Sequence, residues 1–368
     1  MTRTKSVEES APPNRRIAWW IGVSRPSRGA IRIAATAVLA ALIASTGSAR
    51  LQAQDFYKGK TINLIVGSAV GGGYDAYGRL VAEHIRQHIP GNPVIVIQNM
   101  PGVGSLLLTN HLANVAVRDG TVIGAVNPLI TTQPLFYPKR ARFDPRTFGW
   151  IGSVLRENHI GLARSDSGVT SFDDVFNKEL IVAGTGGATN SYPLLTNAIL
   201  KTRFKVVSGY KGTAQGMLAV ERGEAGGLIG ITWASAQATQ SAALKSGKLH
   251  VIVQFGLEKH PDLPNVPWVF DYAKTPDDRA ALRLILSNQE YGRPFITPPG
   301  VPDKTLGILR TAFEATMKDP AFLADAKKRN IDIDPVGGKA IQQLVEETYR
   351  SSPQIVERVG PIFRMSSD

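Results

Sequence analysis

The sequence predicts an α/β fold with parallel strands, and three observations support that prediction. An apolar, β-branched run at Thr61–Val66 leads into a glycine-rich loop, after which apolar residues recur at helical spacing. Strands at Val94–Ile97 and Thr121–Val126 alternate with a helix at Leu106–Ala116, which is the order of a parallel sheet. The order of strand, glycine-rich loop and helix starts again at Leu180–Ala183. Because 368 residues exceed what one hydrophobic core usually holds, the repetition predicts two α/β units.

The first 49 residues predict a cleavable export signal. Arginines precede an apolar run at Ile33–Ala44, and the small residues Gly47-Ser48-Ala49 form a cleavage site. The run is too short to span a membrane with such flanks, and an uncleaved anchor is the alternative. We therefore expect a periplasmic protein whose mature chain begins near residues 50 to 55.

The composition excludes several classes of function. The first 50 residues carry half of the formal net charge of +12, and the remainder stays positive, which suits a protein that binds anions. No basic stripe is interleaved with aromatic residues, so nucleic-acid binding is not expected. The absence of cysteine excludes disulfides and thiol catalysis. His84 and His88 lie one helical turn apart but lack a third ligand at suitable spacing, so no metal site is expected.

The loop Gly71-Gly72-Gly73-Tyr74-Asp75 is predicted to bind a small anion. It joins a buried strand to a helix start, where free backbone N–H groups and the helix dipole favour negative charge. Gly72 is expected to adopt a positive φ, so a valine there would block binding. Asp75 would either cap the helix or hydrogen-bond a ligand amine or hydroxyl. A βα turn without a ligand is the plain alternative.

The same loop also fits the dinucleotide fingerprint G-x-G-x-x-[GA] over Gly71–Ala76, so an exported nucleotide-dependent enzyme is an alternative function. Against it, the next strand ends in Gln98-Asn99 rather than in the acid that would hold a ribose. No lysine completes a Walker A loop. The motifs G-x-S-x-G and H-E-x-x-H are absent, so we expect a protein that is not an enzyme and needs no cofactor.

A second helix start is predicted after the loop Gly184–Gly187, and it repeats the arrangement of the first. Gly186 and Ala188 belong to this candidate site. The residues Thr189-Asn190-Ser191 are predicted to cap the helix, and a cap residue can also contact a ligand. Two such helix starts would hold an anion chiefly through backbone N–H groups and hydroxyls, because neither loop contains a lysine or arginine.

Other loop residues are candidates for the same site. Asn127 follows a strand at the carboxyl edge of the first sheet, which is where ligands bind in parallel sheets. Aromatic side chains at loop edges would either line a cleft or join the core, and they are Tyr74, Tyr192, Tyr210 and Trp233. Together with the two glycine-rich loops, these residues make up the predicted binding site.

Eight segments carry a family resemblance, and in chain order they are Ile65–Leu80, Asn99–Ser105, Asp119–Asn127, Ala183–Ser191, Tyr210–Gly216, Leu263–Pro267, Ile296–Pro302 and Pro335–Gly338. They resemble the substrate-binding proteins of tripartite tricarboxylate transporters, also called the Bug family. The chain departs from the family at Ala225 and near Gly230–Thr232, where acids are frequent. It offers Trp233 and Ser235 instead, so the ligand cannot be copied from a relative.

The resemblance implies a two-lobed type II periplasmic-binding-protein (Venus-flytrap) fold, in which two crossing strands join the lobes. Lobe 1 would hold residues 55–155 and 290–368, and lobe 2 residues 156–289. It also implies a receptor that captures a small organic anion and delivers it to the membrane subunits of a tripartite transporter. We expect a monomer and favour a dicarboxylate or an aromatic acid as its ligand. A ligand-sensing subunit for a receptor kinase is the alternative.

Overall fold

The structure, a computed structural model, describes residues 56–365, with side chains as far as residue 362. The export signal predicted at residues 1–49 lies outside the described residues. Within them the chain forms two β-sheets flanked by helices, which confirms the α/β class. The strands are β1 (Thr61–Val66), β2 (Val94–Asn99), β3 (Val122–Ala125), β4 (Gly149–Ser153), β5 (His159–Arg164), β6 (Leu180–Gly184), β7 (Phe204–Ser208), β8 (Gly227–Thr232), β9 (Leu249–Gln254), β10 (Pro294–Thr297) and β11 (Val336–Gly337).

Helices connect these strands. The α-helices are α1 (Gly73–Ile85), α2 (Leu106–Asn114), α3 (Gln133–Phe136), α4 (Ala188–Leu200), α5 (Thr213–Arg222), α6 (Trp233–Lys245), α7 (Pro276–Leu286), α8 (Asp303–Thr316), α9 (Pro320–Lys328), α10 (Gly338–Thr348) and α11 (Pro353–Met365). Short 3-10 helices lie at Arg86–His88, Pro128–Thr131, Pro145–Thr147, Asp173–Phe176, Val269–Tyr272 and Ser287–Tyr291. None of the helices between residues 56 and 365 is long and apolar enough to cross a bilayer.

The first sheet has the strand order β11-β4-β10-β3-β1-β2 and is covered on both faces. In β1, Ile62, Leu64 and Val66 point to one face, where they pack with α1, α8 and α9. Ile65 points to the opposite face and packs with apolar residues of α2 and α10. This alternation follows from the two-residue period of a strand. Both faces are therefore apolar, as expected for strands in the middle of an α/β sheet.

The second sheet has the order β7-β6-β8-β5-β9. The strand β6 is parallel to β7 and β8, and β1 is parallel to β2 and β3, as the sequence predicts. The strands β4, β5, β9 and β10 run antiparallel to neighbours, so both sheets are mixed rather than fully parallel. Of these strands, β4, β5 and β10 border the segments by which the chain passes from one sheet to the other.

The last helix, α11, packs against the helices of the second sheet. Its residues Ile355, Val359 and Ile362 share a core cluster with Val182 of β6, and the helix contacts α4 and α7. The sequence places residues 290–368 with the first lobe, whereas this helix contributes its apolar face to the other core. The spacing of four and three residues between those side chains gives one continuous apolar stripe. The lobe boundaries themselves stay a prediction.

Two chain segments pass between the sheets, and they are hydrogen-bonded to each other. The first joins β4 to β5, and the second joins α7 to β10. The N–H of Glu157 donates to the carbonyl of Gln289 at 2.8 Å, and the N–H of Gly292 donates to that of Leu155 at 2.8 Å. The crossing segments therefore form one paired connection between the two halves of the fold.

Candidate functional site

A cavity of about 930 Å³, here called the central cavity, is lined by residues that follow strands of both sheets. Its volume is in the range of pockets that bind small ligands. Among the predicted site residues, those that line it are Tyr74, Asn127, Gly186, Ala188 and Ser191. Those that do not line it are Gly71, Gly72, Gly73, Asp75, Thr189, Tyr210 and Trp233. Ligand contact by the lining residues stays a prediction.

The start of α4 presents hydrogen-bond donors to the central cavity. Asn190 and Ser191 donate their N–H groups to the carbonyl of Gly187, which leaves the N–H groups of Ala188 and Thr189 without an intrahelical acceptor. The Ser191 hydroxyl lines the cavity and makes no hydrogen bond to any other described residue. Of these groups, the Ala188 N–H and the Ser191 hydroxyl belong to residues that line the cavity, and with the helix dipole behind them they form an environment that favours an anion.

The cap of α4 differs from the prediction. The N-cap residue is Gly187, with a φ of 58°, and Thr189 lies inside the first turn. The Thr189 hydroxyl accepts from the N–H of Thr185 at 2.8 Å and donates to the carbonyl of Gly186 at 2.9 Å. Asn190 accepts from the N–H of Gly186 at 3.1 Å. These side chains stabilise the loop from within the helix, so the expected capping role is wrong and the Thr189 hydroxyl is already used.

Asn127 adds a donor from the first sheet. Its Oδ1 accepts from the N–H of Leu129 at 2.9 Å, which fixes the amide orientation. Its own N–H donates to the Ser105 hydroxyl at 2.9 Å. The Nδ2 group has no partner among the described residues and belongs to a side chain that lines the cavity. Donors from both sheets therefore meet in one space, as expected for a ligand held between two halves of the fold.

Asp75 is not directed to the cavity, and both of its oxygens are used. It is 2 % exposed, and its Oδ2 accepts from the N–H of Gly71 and from Arg79 Nε, both at 2.9 Å. Its Oδ1 accepts from Asn99 Nδ2 at 2.8 Å. These hydrogen bonds, that from Arg79 foremost, lower the pKa of Asp75 to about 2. The carboxylate thus ties the glycine loop to the end of β2 and shapes the site indirectly.

The glycine loop itself also differs from the prediction. The positive φ belongs to Gly71, at 80°, whereas Gly72 has a φ of −76°. A valine at Gly72 would therefore not be strained by a left-handed backbone, so the reason expected for its effect on binding is wrong.

The aromatic residues Tyr210 and Trp233 pack against the core on the far side of the second sheet, with Ile160 and Met217. Of the four aromatic candidates, the two that line the cavity are Tyr74 and Tyr192.

A polar cluster on the crossing segments reaches the cavity through Glu157 and is absent from the prediction. Glu157 forms an ion pair with Arg293, with 2.6 Å between Oε1 and Nη1. The Arg293 guanidinium lies 4.4 Å from the centre of the Tyr74 ring. The polar run at residues 156–159, between two apolar strands, is the sequence signal that could have revealed the cluster. Since Glu157 is neutralised by Arg293, its carboxylate does not oppose the entry of an anion.

His159 lies beside this cluster and also lines the cavity. Gln289 Nε2 donates to the carbonyl of Phe255 at 3.1 Å, so its Oε1 faces His159 Nδ1 at 3.0 Å. That oxygen is an acceptor, which places the proton of the neutral ring on Nδ1. His159 Nε2 lies 4.0 Å from Glu157 Oε2. Burial lowers the pKa of His159, which keeps the imidazole neutral.

We expect the stability of the protein to fall below about pH 6.5 because of His159. Its pKa is lower in the folded state, so the unfolded chain takes up the proton first and stability is lost as the pH falls. The variant His159→Gln should lose less stability than the parent between pH 7 and pH 5 in urea unfolding. His111→Gln, on a partly exposed residue of α2, is the control. Equal pH slopes for parent and His159→Gln would contradict the assignment.

Gln133 is a further lining residue that the sequence did not indicate. Its Nε2 donates to the carbonyls of Val103 and Gly104 at 3.1 and 3.2 Å, which fixes the loop before α2. Its Oε1 is buried and has no partner among the described residues. A buried acceptor of this kind favours a ligand or water that carries a donor.

His84 of α1 and His88 of the 3-10 helix that follows it both pair with carboxylates at α9. His84 Nε2 lies 3.2 Å from Asp325 Oδ2, and His88 Nε2 lies 2.8 Å from Asp319 Oδ2. Asp319 is the N-cap residue of α9 and also accepts from the N–H of Ala321. The two rings therefore pair with separate carboxylates and do not converge on one point.

Comparison with known proteins identifies the fold. Residues 78–360 match the model of the family TctC, described as the tripartite tricarboxylate transporter family receptor. A TctC solute binding protein from Polaromonas is 17% identical with a TM-score of 0.65, over 84% of this chain and 99% of that one. Its fold is that of a two-lobed periplasmic binding protein, which confirms the predicted fold class.

Two further solved structures contain ligands. MatC from Rhodopseudomonas palustris, with bound malate, is 21% identical with a TM-score of 0.54, over 81% of this chain and 99% of that one. The protein Rpa4515 of R. palustris, with adipate, is 20% identical with a TM-score of 0.56, over 82% and 97%. At these identities the likeness concerns the fold. The matched family consists of solute-binding receptors, so the alternative of a nucleotide-dependent enzyme is wrong.

Proposed function

The chain belongs to the tripartite tricarboxylate transporter receptor family, and on that premise we propose that it captures a small organic carboxylate in the central cavity. It would deliver this ligand to the membrane subunits of a tripartite transporter. Export by the signal at residues 1–49, a periplasmic location and a monomeric state are parts of the same proposal. The proposal also includes two lobes that close on the ligand. One lobe holds residues 55–155 and 290–368, and the other holds residues 156–289.

One observation carries the proposal: residues that line the cavity carry donors that have no acceptor within the part of the chain that the structure describes. These donors are the N–H group of Ala188 at the start of α4, the Ser191 hydroxyl and Asn127 Nδ2. A carboxylate accepts several hydrogen bonds at once, and bonds to a charged acceptor are about twice as strong as neutral ones. The acid that lines the cavity, Glu157, is paired with Arg293. An anion is therefore the ligand class that satisfies most of these groups.

The remaining lining favours a carbon spacer next to the carboxylate. Four aromatic residues are among those that line the cavity, and they are Tyr74, Phe136, Tyr137 and Tyr192. Aromatic surfaces of this kind bind alkyl chains and aromatic rings. Malate and adipate, found in two similar structures, are both dicarboxylates. A dicarboxylate or an aromatic acid is accordingly the proposed ligand.

The direct test is a thermal-shift and calorimetry panel on the mature protein, with malate, adipate and aromatic acids as probes. A ligand at 100 times its Kd should raise the free energy of unfolding by about 2.7 kcal/mol. Ser191→Ala should weaken the binding of the best acid by about tenfold, because one charge-assisted hydrogen bond is lost. Ser235→Ala, in the first turn of α6 and outside the cavity lining, should leave affinity unchanged. Stabilisation by NAD or ATP but by no acid would refute the proposal.

A further inference from the structure

A basic segment contributes to the wall of the central cavity. Lys139 and Arg140 follow α3, are exposed and line the cavity. Arg142, two residues on, is equally exposed but does not line it. The predicted site contains no basic side chain, so these two residues add a kind of contact that the sequence did not indicate.

The backbone of this segment is held by α2, which covers the first sheet. Asn110 Nδ2 donates to the carbonyl of Arg140 at 3.0 Å, and the N–H of Arg142 donates to Asn110 Oδ1 at 2.8 Å. Asn114 Nδ2 donates to the carbonyl of Arg142 at 3.1 Å. The buried side chain of Ala141 packs beneath the segment. The chain therefore presents its basic side chains from a fixed base, which limits the entropy lost when they bind a ligand.

Lys139 and Arg140 form no ion pair with any carboxylate in the described part of the chain. Among residues 56–362, no carboxylate lies within ion-pair distance of either side chain. The acid nearest in sequence, Asp144, is paired with Arg146 at 2.6 Å. Glu157, which shares the cavity, is paired with Arg293. Two unpaired cations on a wall of the cavity create a positive potential that an anionic group would satisfy.

The volume of the cavity suits a ligand that reaches from α4 to this segment. About 930 Å³ has room for about thirty water molecules, which is far more than one carboxylate and its first shell occupy. The basic segment is hydrogen-bonded to α2 of the first sheet, whereas α3, directly before it, packs through Phe136 into the core cluster that also holds α4. Because α3 and α4 share this cluster, the start of α4 and the basic segment have a fixed separation that a ligand of suitable length can bridge.

Resting on the proposed function, we propose that Lys139 and Arg140 bind the second carboxylate of a dianionic ligand. They would thereby select dicarboxylates over monocarboxylates of the same length. The planar guanidinium of Arg140 matches the two oxygens of a carboxylate, and Lys139 adds a point charge. The first carboxylate occupies the start of α4, and the carbon spacer lies along the aromatic wall.

The test compares matched pairs of acids on the mature protein by calorimetry. The pairs are α,ω-dicarboxylates of four to eight carbons and the monocarboxylates of equal length. The parent should bind its best dicarboxylate at least tenfold more tightly than the matching monocarboxylate. The double variant Lys139→Gln with Arg140→Gln should lose at least tenfold in affinity for the dicarboxylate and less than twofold for the monocarboxylate. Arg142→Gln, in the same segment but outside the cavity, should behave as the parent.

The ionic strength supplies a second readout. Raising the salt from 50 to 200 mM should weaken dicarboxylate binding in the parent more than in the double variant, because exposed charge pairs are screened. Equal affinity of the parent for both acids of every pair would overturn this inference and leave the proposed function intact. A double variant that keeps the full preference for the dicarboxylate would also overturn this inference and leave the proposed function intact. Binding of neither acid in any pair would also overturn this inference, and it would overturn the proposed function as well if the aromatic acids of the panel above fail to bind.

Discussion

Replacing Gly230 with alanine is expected to lower the free energy of unfolding by about 3 kcal/mol, through backbone strain and overpacking together. Gly230 lies in β8 and has a φ of 89°, a conformation that residues with a side chain rarely adopt. A Cβ there would lie 2.6 Å from the carbonyl oxygen of Ala188 and 3.0 Å from the nitrogen of Thr189. Both atoms belong to backbone, so the start of α4 would have to move.

The reason lies in the pairing of β8 with β5. Ile231 pairs with Ile160 and Ile229 pairs with Gly161, so Gly230 is an extra residue opposite that step. A glycine with positive φ at such a point is typical of a β-bulge. The bulge brings the bare backbone of β8 against the first turn of α4, which carries the proposed donors for the ligand. Gly230→Ala should therefore also weaken the binding of the best acid.

Gly247→Ala provides a matched control. Gly247 has a φ of 71°, and a Cβ there would meet no atom within 4 Å. This variant carries the strain of positive φ without the contact and should cost about 1 kcal/mol, with unchanged ligand affinity. The measurements are urea unfolding and calorimetry at 25 °C. If both variants lose equal stability and bind equally well, the close approach of β8 to α4 does not support the site.

Part of the site was predictable from local patterns of apolar residues in the sequence. The apolar run before Gly67 and the helical spacing after Tyr74 depend on neighbouring residues alone, and β1 and α1 lie where those patterns put them. The same holds for β6 and α4. Asn127 was indicated by its place after a strand, since the carboxyl edge of a sheet follows from strand direction. These elements depend on short-range periodicity, which one sequence displays.

Contacts between distant residues were not predictable from one sequence. Glu157 and Arg293 are separated by 136 positions, and only the pairing of the two crossing segments brings them together under Tyr74. The role of Thr189 depended on the conformation of the glycines before it. Because Gly187 adopts a positive φ and becomes the cap, the hydroxyl turns back to the loop. Neither the pairing nor the φ angle leaves a periodic signal.

Asp75→Asn is expected to lower the free energy of unfolding by about 2 kcal/mol at pH 7 and to leave the cavity groups in place. The parent carboxylate accepts three hydrogen bonds, from Gly71, Arg79 and Asn99, and it is buried. The asparagine amide has the same shape but only one oxygen. Its NH₂ group would face N–H donors that the carboxylate accepts from. Asp277→Asn, on an exposed acid in the first turn of α7, is the control and should change stability by less than about 0.5 kcal/mol.

The pH dependence identifies the carboxylate as the cause of the loss. The folded pKa of Asp75 is about 2, below the value of about 4 in an unfolded chain, so its contribution is complete above pH 4. It is lost as the pH falls from about 4 to about 2, and parent and variant should converge over that range in urea unfolding. Affinity for the best acid should fall less than tenfold, because Asp75 acts through the loop that holds Tyr74. A folded Asp75→Asn with parental stability at pH 7 would contradict the structural role, and a loss of affinity beyond a hundredfold would indicate direct ligand contact.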